Sequence, residues 1–240
     1  NSTPPSIIPS VQLSVMSILN VISTKSRGSS LLLQCKEIKP MTVAVLVNKE
    51  TMTDSIALET LGLLKNLTYY DEESRIAFLK QKGFLLGLMG LANRHSLSIK
   101  SKQRLSAVIR NVATCAECRT MLVRQPSVVG ALVSLMVLEP YDEADCKSSD
   151  FRTLRRNLMT ILVSMAADSE SAILLIFHGN GILLNILKRF LTDESDSIIR
   201  KKAACALRLL AHDSSTPLLI HDADLMHALS DAALLDNSQE

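Results

Sequence analysis

The sequence predicts an all-α protein built as an array of helical repeats, and three observations carry that expectation. Leu and Ala dominate a chain of 240 residues that is 47% hydrophobic and only 3% aromatic, with eight Gly and seven Pro, a composition that leans to helix. One pattern recurs about every 45 residues: an apolar helix closing on a polar residue and an apolar doublet. Each recurrence is followed by a short helix and then a second apolar helix, with Gly or Pro at the junctions.

The recurring ends are Ser17-Ile18-Leu19-Asn20-Val21-Ile22, Leu63-Leu64-Lys65-Asn66-Leu67-Thr68, Val108-Ile109-Arg110-Asn111-Val112-Ala113, Ile161-Leu162-Val163-Ser164-Met165-Ala166 and Ala206-Leu207-Arg208-Leu209-Leu210-Ala211. Aligning Asn20, Asn66, Asn111, Ser164 and Leu209 gives steps of 46, 45, 53 and 45 residues. After Asn66 the acidic turn Asp71-Glu72-Glu73 leads to a short helix over 74–82, Gly83, and an apolar helix over 84–92. After Asn111 the same order predicts helices over 117–125 and 128–138 with Pro126 between them. After Ser164 it predicts 169–178 and 182–191 around Gly179-Asn180-Gly181, and after Leu209 it predicts 214–222 and 225–235. Gly or Pro at each junction ends one helix and lets the next start at an angle. Inside the long helices the apolar spacing is near 3.6: Ile56, Leu58, Leu61, Leu63, Leu64 and Leu67 cover one broad face. No single unit can bury such a face, whereas stacked units share a continuous core.

The three-helix unit, its length, the Gly break and the Leu-x-Asn-Leu ending resemble the armadillo repeat over roughly residues 6–235. The three Asn matches favour armadillo over HEAT repeats of similar period. The resemblance implies a right-handed α-α superhelix: one repeat domain over 1–240, with units near 6–50, 51–94, 95–138, 152–192 and 193–235 and an acidic insertion at 139–151. It further implies a scaffold or adaptor that binds a partner protein or extended peptide along the surface of the third helices. Peptide-binding members carry a Trp four residues before the Asn. Here that position holds Met16, Gly62, Ala107, Thr160 and Cys205, so there is no indole wall against which Lys stems could stack, which argues against a receptor for lysine-rich nuclear-localisation peptides.

Two readings of the Asn residues stand side by side. An amide both donates and accepts, so Asn66 and Asn111 can clamp a peptide backbone; they can equally bond neighbouring helix ends. Eight residues before the Asn position stand Gln12, Leu58, Gln103, Arg156 and Lys201, flanked by Arg104, Arg110, Arg155, Lys202 and Arg208. If the third helices line the inner surface, Gln103, Arg104, Arg110, Arg156, Lys201 and Arg208 make it basic and suit acidic partners; the alternative is an ordinary solvated helix face. Residues 95–137 carry six Lys and Arg against one acidic residue, whereas 214–240 carry five acidic residues and no Lys or Arg. The insertion, with five acidic residues and one Lys over 139–150, reads either as a disordered loop or as a contact loop with Ser148 and Ser149 as phosphorylation sites.

Other chemistry lacks its residues. Cys115-Ala116-Glu117-Cys118 is a lone CxxC with no second pair, so it reads as two reduced thiols rather than a zinc or redox site. His95, His178, His212, His221 and His227 show no metal-binding spacing, and no GxSxG, P-loop or GxGxxG is present. No enzyme activity, cofactor, metal or small-molecule substrate is therefore expected. A formal charge of +2 with three Tyr and no Trp gives neither the field nor the stacking platforms of a nucleic-acid binder. No apolar run is long enough to span a bilayer. Five scattered Cys point to a reducing compartment, cytoplasm or nucleus. An opening without Met or a signal peptide, and ends that fall inside repeats, lead us to expect an excerpt of a longer chain whose repeats bind a partner or, alternatively, space other domains.

Overall fold

The computed structural model describes residues 7–138, 148–179, 182–192 and 195–211. The acidic insertion over 139–147, Cys146, the predicted helix pair over 214–235 and His212, His221 and His227 lie outside them. Thirteen helices and no strand occur among the described residues: α1 (Ile7–Ser23), α2 (Ser26–Gln34), α3 (Ile38–Val47), α4 (Asp54–Leu67), α5 (Glu72–Leu79), α6 (Phe84–Ala92), α7 (Ile99–Ala113), α8 (Ala116–Val123), α9 (Pro126–Met136), α10 (Ser149–Met165), α11 (Ser169–Gly179), α12 (Ile182–Thr192) and α13 (Ser197–Ala211). The order short, apolar, long recurs from α2 onward, as the sequence period requires.

Local chemistry sets the boundaries. The side chain of Thr53 caps α4 through the Ile56 amide and that of Ser98 caps α7 through the Ser101 amide, each satisfying a donor that the helix cannot. Asp71 caps α5 by accepting from the Glu73 and Ser74 amides, so α5 starts two residues earlier than the apolar spacing predicts. Pro126 does not break the chain between helices but opens α9 at its first turn, where its missing N–H costs nothing. Gly83 sits at φ 94° before α6, a left-handed conformation that a side chain would strain. Ser148 supplies the same service for α10, its hydroxyl accepting from the Phe151 amide.

The chain divides into two compact units, Asn1–Cys118 with Asp142–Leu154 and Arg119–Tyr141 with Arg155–Glu240. The first has its core in Leu61, Leu63, Leu64 and Leu67 of α4, Phe78 and Phe84 at the α5–α6 corner, and Leu105, Val108 and Ile109 of α7, all at most 1% exposed. Burying each such side chain stabilises the fold by about 1.5–3 kcal/mol. The second is built on Leu122, Leu132, Leu158, Ile161, Leu175, Leu187 and Leu210, again sealed from solvent.

In the first unit, α4 packs against α1 on one side and α7 on the other. Repeat register shows what that packing does. Val11, Val15, Ile18 and Val21 of α1 are exposed, while the equivalent Ala57, Leu61, Leu64 and Leu67 of α4 are fully buried. The difference lies in the neighbours, because α4 is covered by α2 and α3 of its own unit.

Candidate functional site

The site is built on α4 and α7. Their polar residues at the recurring position donate to the preceding long helix. Asn111 Nδ2 donates to the Lys65 carbonyl at 3.0 Å and to Thr68 Oγ1 at 3.3 Å. Asn66 Nδ2 donates to Ser23 Oγ at 2.9 Å and Asn20 Oδ1 at 3.3 Å. Asn20 Nδ2 in turn reaches Glu59 Oε2 at 2.7 Å. Of the two readings that the sequence leaves open, the bonds present are those to neighbouring helices. Asn111 is buried and Asn66 half-buried.

Arg104 belongs to the same ladder. Its Nη1 donates to the Leu58 carbonyl at 2.7 Å and stands 3.8 Å from Glu59 Oε1. Gly62, at the position where peptide-binding armadillo repeats place Trp, explains how these groups meet. A Cβ there would lie 2.6 Å from Asn20 Nδ2 and 2.7 Å from Arg104 Nη1. The space of an indole is filled by the amide and guanidinium that tie α1, α4 and α7 together.

Beside the ladder, α4 and α7 enclose a depression of about 330 Å³ lined by Lys65, Asn66, Tyr69, Tyr70, Gln103, Ala107 and Arg110. Three predicted residues, Asn66, Gln103 and Arg110, are therefore brought together, with Arg104 close to Lys65 on its structural side. Burial, and then the guanidiniums of Arg104 and Arg110, hold the Lys65 ammonium below the usual lysine range. Arg110 Nη2 donates to Asn111 Oδ1 at 3.2 Å, which orients it along the ladder. Tyr69 and Tyr70 are more than half exposed and meet edge to face, with ring centroids 4.9 Å apart. Arg75 holds the turn that carries them, its Nε on the Thr68 carbonyl at 2.8 Å and its Nη2 on the Tyr69 carbonyl at 2.7 Å.

Lys65, Tyr69 and Tyr70 are absent from the sequence-derived set. Lys65 had a readable signal, since it precedes Asn66 as Arg110 precedes Asn111 and Arg208 precedes Leu209. The tyrosines had none, because they follow the helix in a turn whose direction depends on Arg75.

The second unit arranges its predicted residues differently. Arg156 Nε donates to Asp196 Oδ2 at 2.8 Å, while Asp196 Oδ1 accepts from the Ile198 amide at the start of α13. Lys202 donates to Thr160 Oγ1, and the Arg155 guanidinium lies 5.1 Å from the centre of the Phe190 ring. Lys201 and Arg208 are exposed.

Among the described residues no group of three or more His, Cys, Asp or Glu is placed to hold a metal ion. Cys115 and Cys118 are buried thiols, and burial, reinforced by Cys115, pushes the Cys118 thiol up to about 12. A thiol so raised stays protonated and unreactive near neutrality. Among the described residues, no single helix is long and apolar enough to cross a membrane.

No protein-family model and no curated protein sequence matches the chain. Solved structures do. An engineered protein is similar over 92% of this chain and 90% of its own, with a TM-score of 0.67 and 18% identity. A designed armadillo repeat protein in complex with the peptide (KR)4 is similar over 98% of this chain and 85% of its own, with a TM-score of 0.64 and 18% identity. A further designed armadillo repeat protein is similar at a TM-score of 0.64 over 97% of this chain. The chain has an all-α, armadillo-like repeat fold. At this identity the likeness is one of fold.

Proposed function

We propose that this chain is a protein-binding scaffold that takes an acidic, extended segment of a partner protein across the α4–α7 surface. One observation carries the reading: the depression between Lys65 and Gln103 is walled by two cations and two exposed tyrosines. Basic walls recruit and orient acidic side chains, and exposed Tyr rings supply amphipathic contact area at small entropic cost. The designed neighbour that holds (KR)4 supports peptide binding on this fold, with the charge of the ligand opposite to the one expected here. Gln103 and Asn66 lie within reach of a peptide crossing the depression, while Asn111 and Arg104 act by holding α7 on α4. In the second unit Lys201 and Arg208 are exposed, and Arg156 serves α13 through Asp196. The buried thiols fit a reducing, cytoplasmic or nuclear setting.

Fluorescence anisotropy with a labelled glutamate-rich peptide tests this reading. Wild type should bind it at least tenfold more tightly than (KR)4, a difference of about 1.4 kcal/mol. The Lys65→Glu, Arg110→Glu double variant, shown by circular dichroism to stay helical, should reverse that preference. Equal affinity for both peptides, or no binding of either, would leave a spacer role for the repeats and overturn the proposal.

A further inference from the structure

The depression between α4 and α7 is more demanding than a single carboxylate would require. Lys65 is half-buried, and the charged groups acting on it are the guanidiniums of Arg104 and Arg110. Arg104 already faces Glu59; among the described residues no carboxylate forms an ion pair with Lys65. A partly buried ammonium among like charges is costly unless a bound anion compensates it.

The donors outnumber what a carboxylate can accept. The lining residues include Lys65, Arg110, Gln103, Tyr69 and Tyr70, which bring an ammonium, a guanidinium, an amide and two hydroxyls as donor groups. A carboxylate brings one charge and two oxygens. A phosphate ester brings about −1.5 to −2 charge at neutral pH and three acceptor oxygens, and pairs with Lys and Arg in short, charge-assisted hydrogen bonds. At about 330 Å³, the depression spans several times the roughly 30 Å³ that a water molecule occupies in the liquid. It therefore has room for the phosphate and the side chain that bears it. The backbone of the turn that carries the tyrosines is held by the fold, because Arg75 pins the carbonyls of Thr68 and Tyr69 and Asp71 caps the start of α5.

We infer that this depression is a phosphate pocket, which takes a phosphorylated serine or threonine of the extended peptide. The inference rests on the peptide-binding reading above and names the residue that the site prefers. Lys65 and Arg110 hold the phosphate, Gln103 and the tyrosine hydroxyls complete its acceptor oxygens, and the tyrosine rings flank the stem. Recognition is reversible binding with no covalent step.

The test uses the full chain and one glutamate-rich peptide in three forms, with Ser, Glu or phosphoserine at its central position. Anisotropy titrations should show the phosphoserine form bound at least about tenfold more tightly than the Glu form. Lys65→Met and Arg110→Met, which keep the apolar stems, should each reduce that ratio below about threefold while the Glu form loses less. In wild type the advantage should shrink from about pH 7 to about pH 5, as the phosphate takes up its second proton near pH 6. That titration tests the pocket even if a variant fails to fold. Equal binding of phosphoserine and Glu forms, or an advantage independent of pH, would overturn the phosphate pocket and leave the acidic-peptide reading intact. Failure of every form to bind would overturn both. Inorganic phosphate binding as tightly as the phosphopeptide would make this a small-anion site and overturn the peptide assignment.

Discussion

The two units join neighbouring long helices with different chemistry and from different places in the repeat, Asn111 at the recurring Asn position and Arg156 eight residues before it. Between α4 and α7 the innermost rung is a sealed amide: Asn111 is 4% exposed and donates to a carbonyl and a hydroxyl. Between α10 and α13 the joint is ionic and partly wet, Arg156 on Asp196 with side-chain exposures of 40% and 8%. Buried amide bonds are sensitive to losing one partner, since the other is left unsatisfied away from water. Half-exposed ion pairs gain little and are screened by salt. The Asn111 rung of the first unit is therefore one that salt does not loosen.

Four substitutions sharpen that contrast, in falling order of effect. Gly62→Trp restores the indole of the peptide-binding pattern at a position where even a Cβ meets Asn20 and Arg104. It should cost about 3 kcal/mol by overpacking, read as a lower urea midpoint; a variant as stable as wild type would show that the ladder is dispensable. Asn111→Ala should cost about 2 kcal/mol, and the loss should be the same at low salt and at roughly ten times that salt.

Asp71→Ala should cost about 1 kcal/mol by removing the α5 cap and should also weaken peptide binding by loosening the tyrosine turn. The hydrogen bond from the Ser74 hydroxyl, with help from backbone amides, holds the Asp71 carboxyl below the usual aspartate range. A lowered folded-state value stabilises above the unfolded value near 3.9 and is lost as pH falls through the folded one. The gap between wild type and Asp71→Ala should thus be full at neutral pH and close below about pH 4, as urea midpoints across that range would show. Arg156→Ala should cost least, about 0.5 kcal/mol at low salt and close to nothing in concentrated salt. A salt-independent loss there would erase the difference between the two units.

Much of the site was legible before any coordinates. The register that aligned Asn20, Asn66 and Asn111 also set Arg110 beside Lys65, because residues one repeat apart stack side by side, and both line the depression with Asn66 and Gln103. Arg104 shows the limit. Its place in the repeat puts it near the inner surface, yet its long side chain turns to the Leu58 carbonyl and Glu59, a choice between neighbours that no spacing encodes. Gly62 is the clearer lesson. In the sequence it is a missing Trp, whereas in the structure it is the room in which three helices exchange their polar bonds.

The sequence by itself determined the units: helix lengths from the 3.6 period, starts from Thr53, Ser98 and Asp71, a stop from Gly83, and the armadillo-like order of three helices. These are decided within a few residues, where local hydrogen bonds and φ preferences act. Only the tertiary structure decided which polar groups are spent on the fold and which face a partner. The bonds that settle it, Asn111 to Lys65 and Arg104 to Leu58, span 46 residues each, a distance at which partners are chosen by the packing of whole helices.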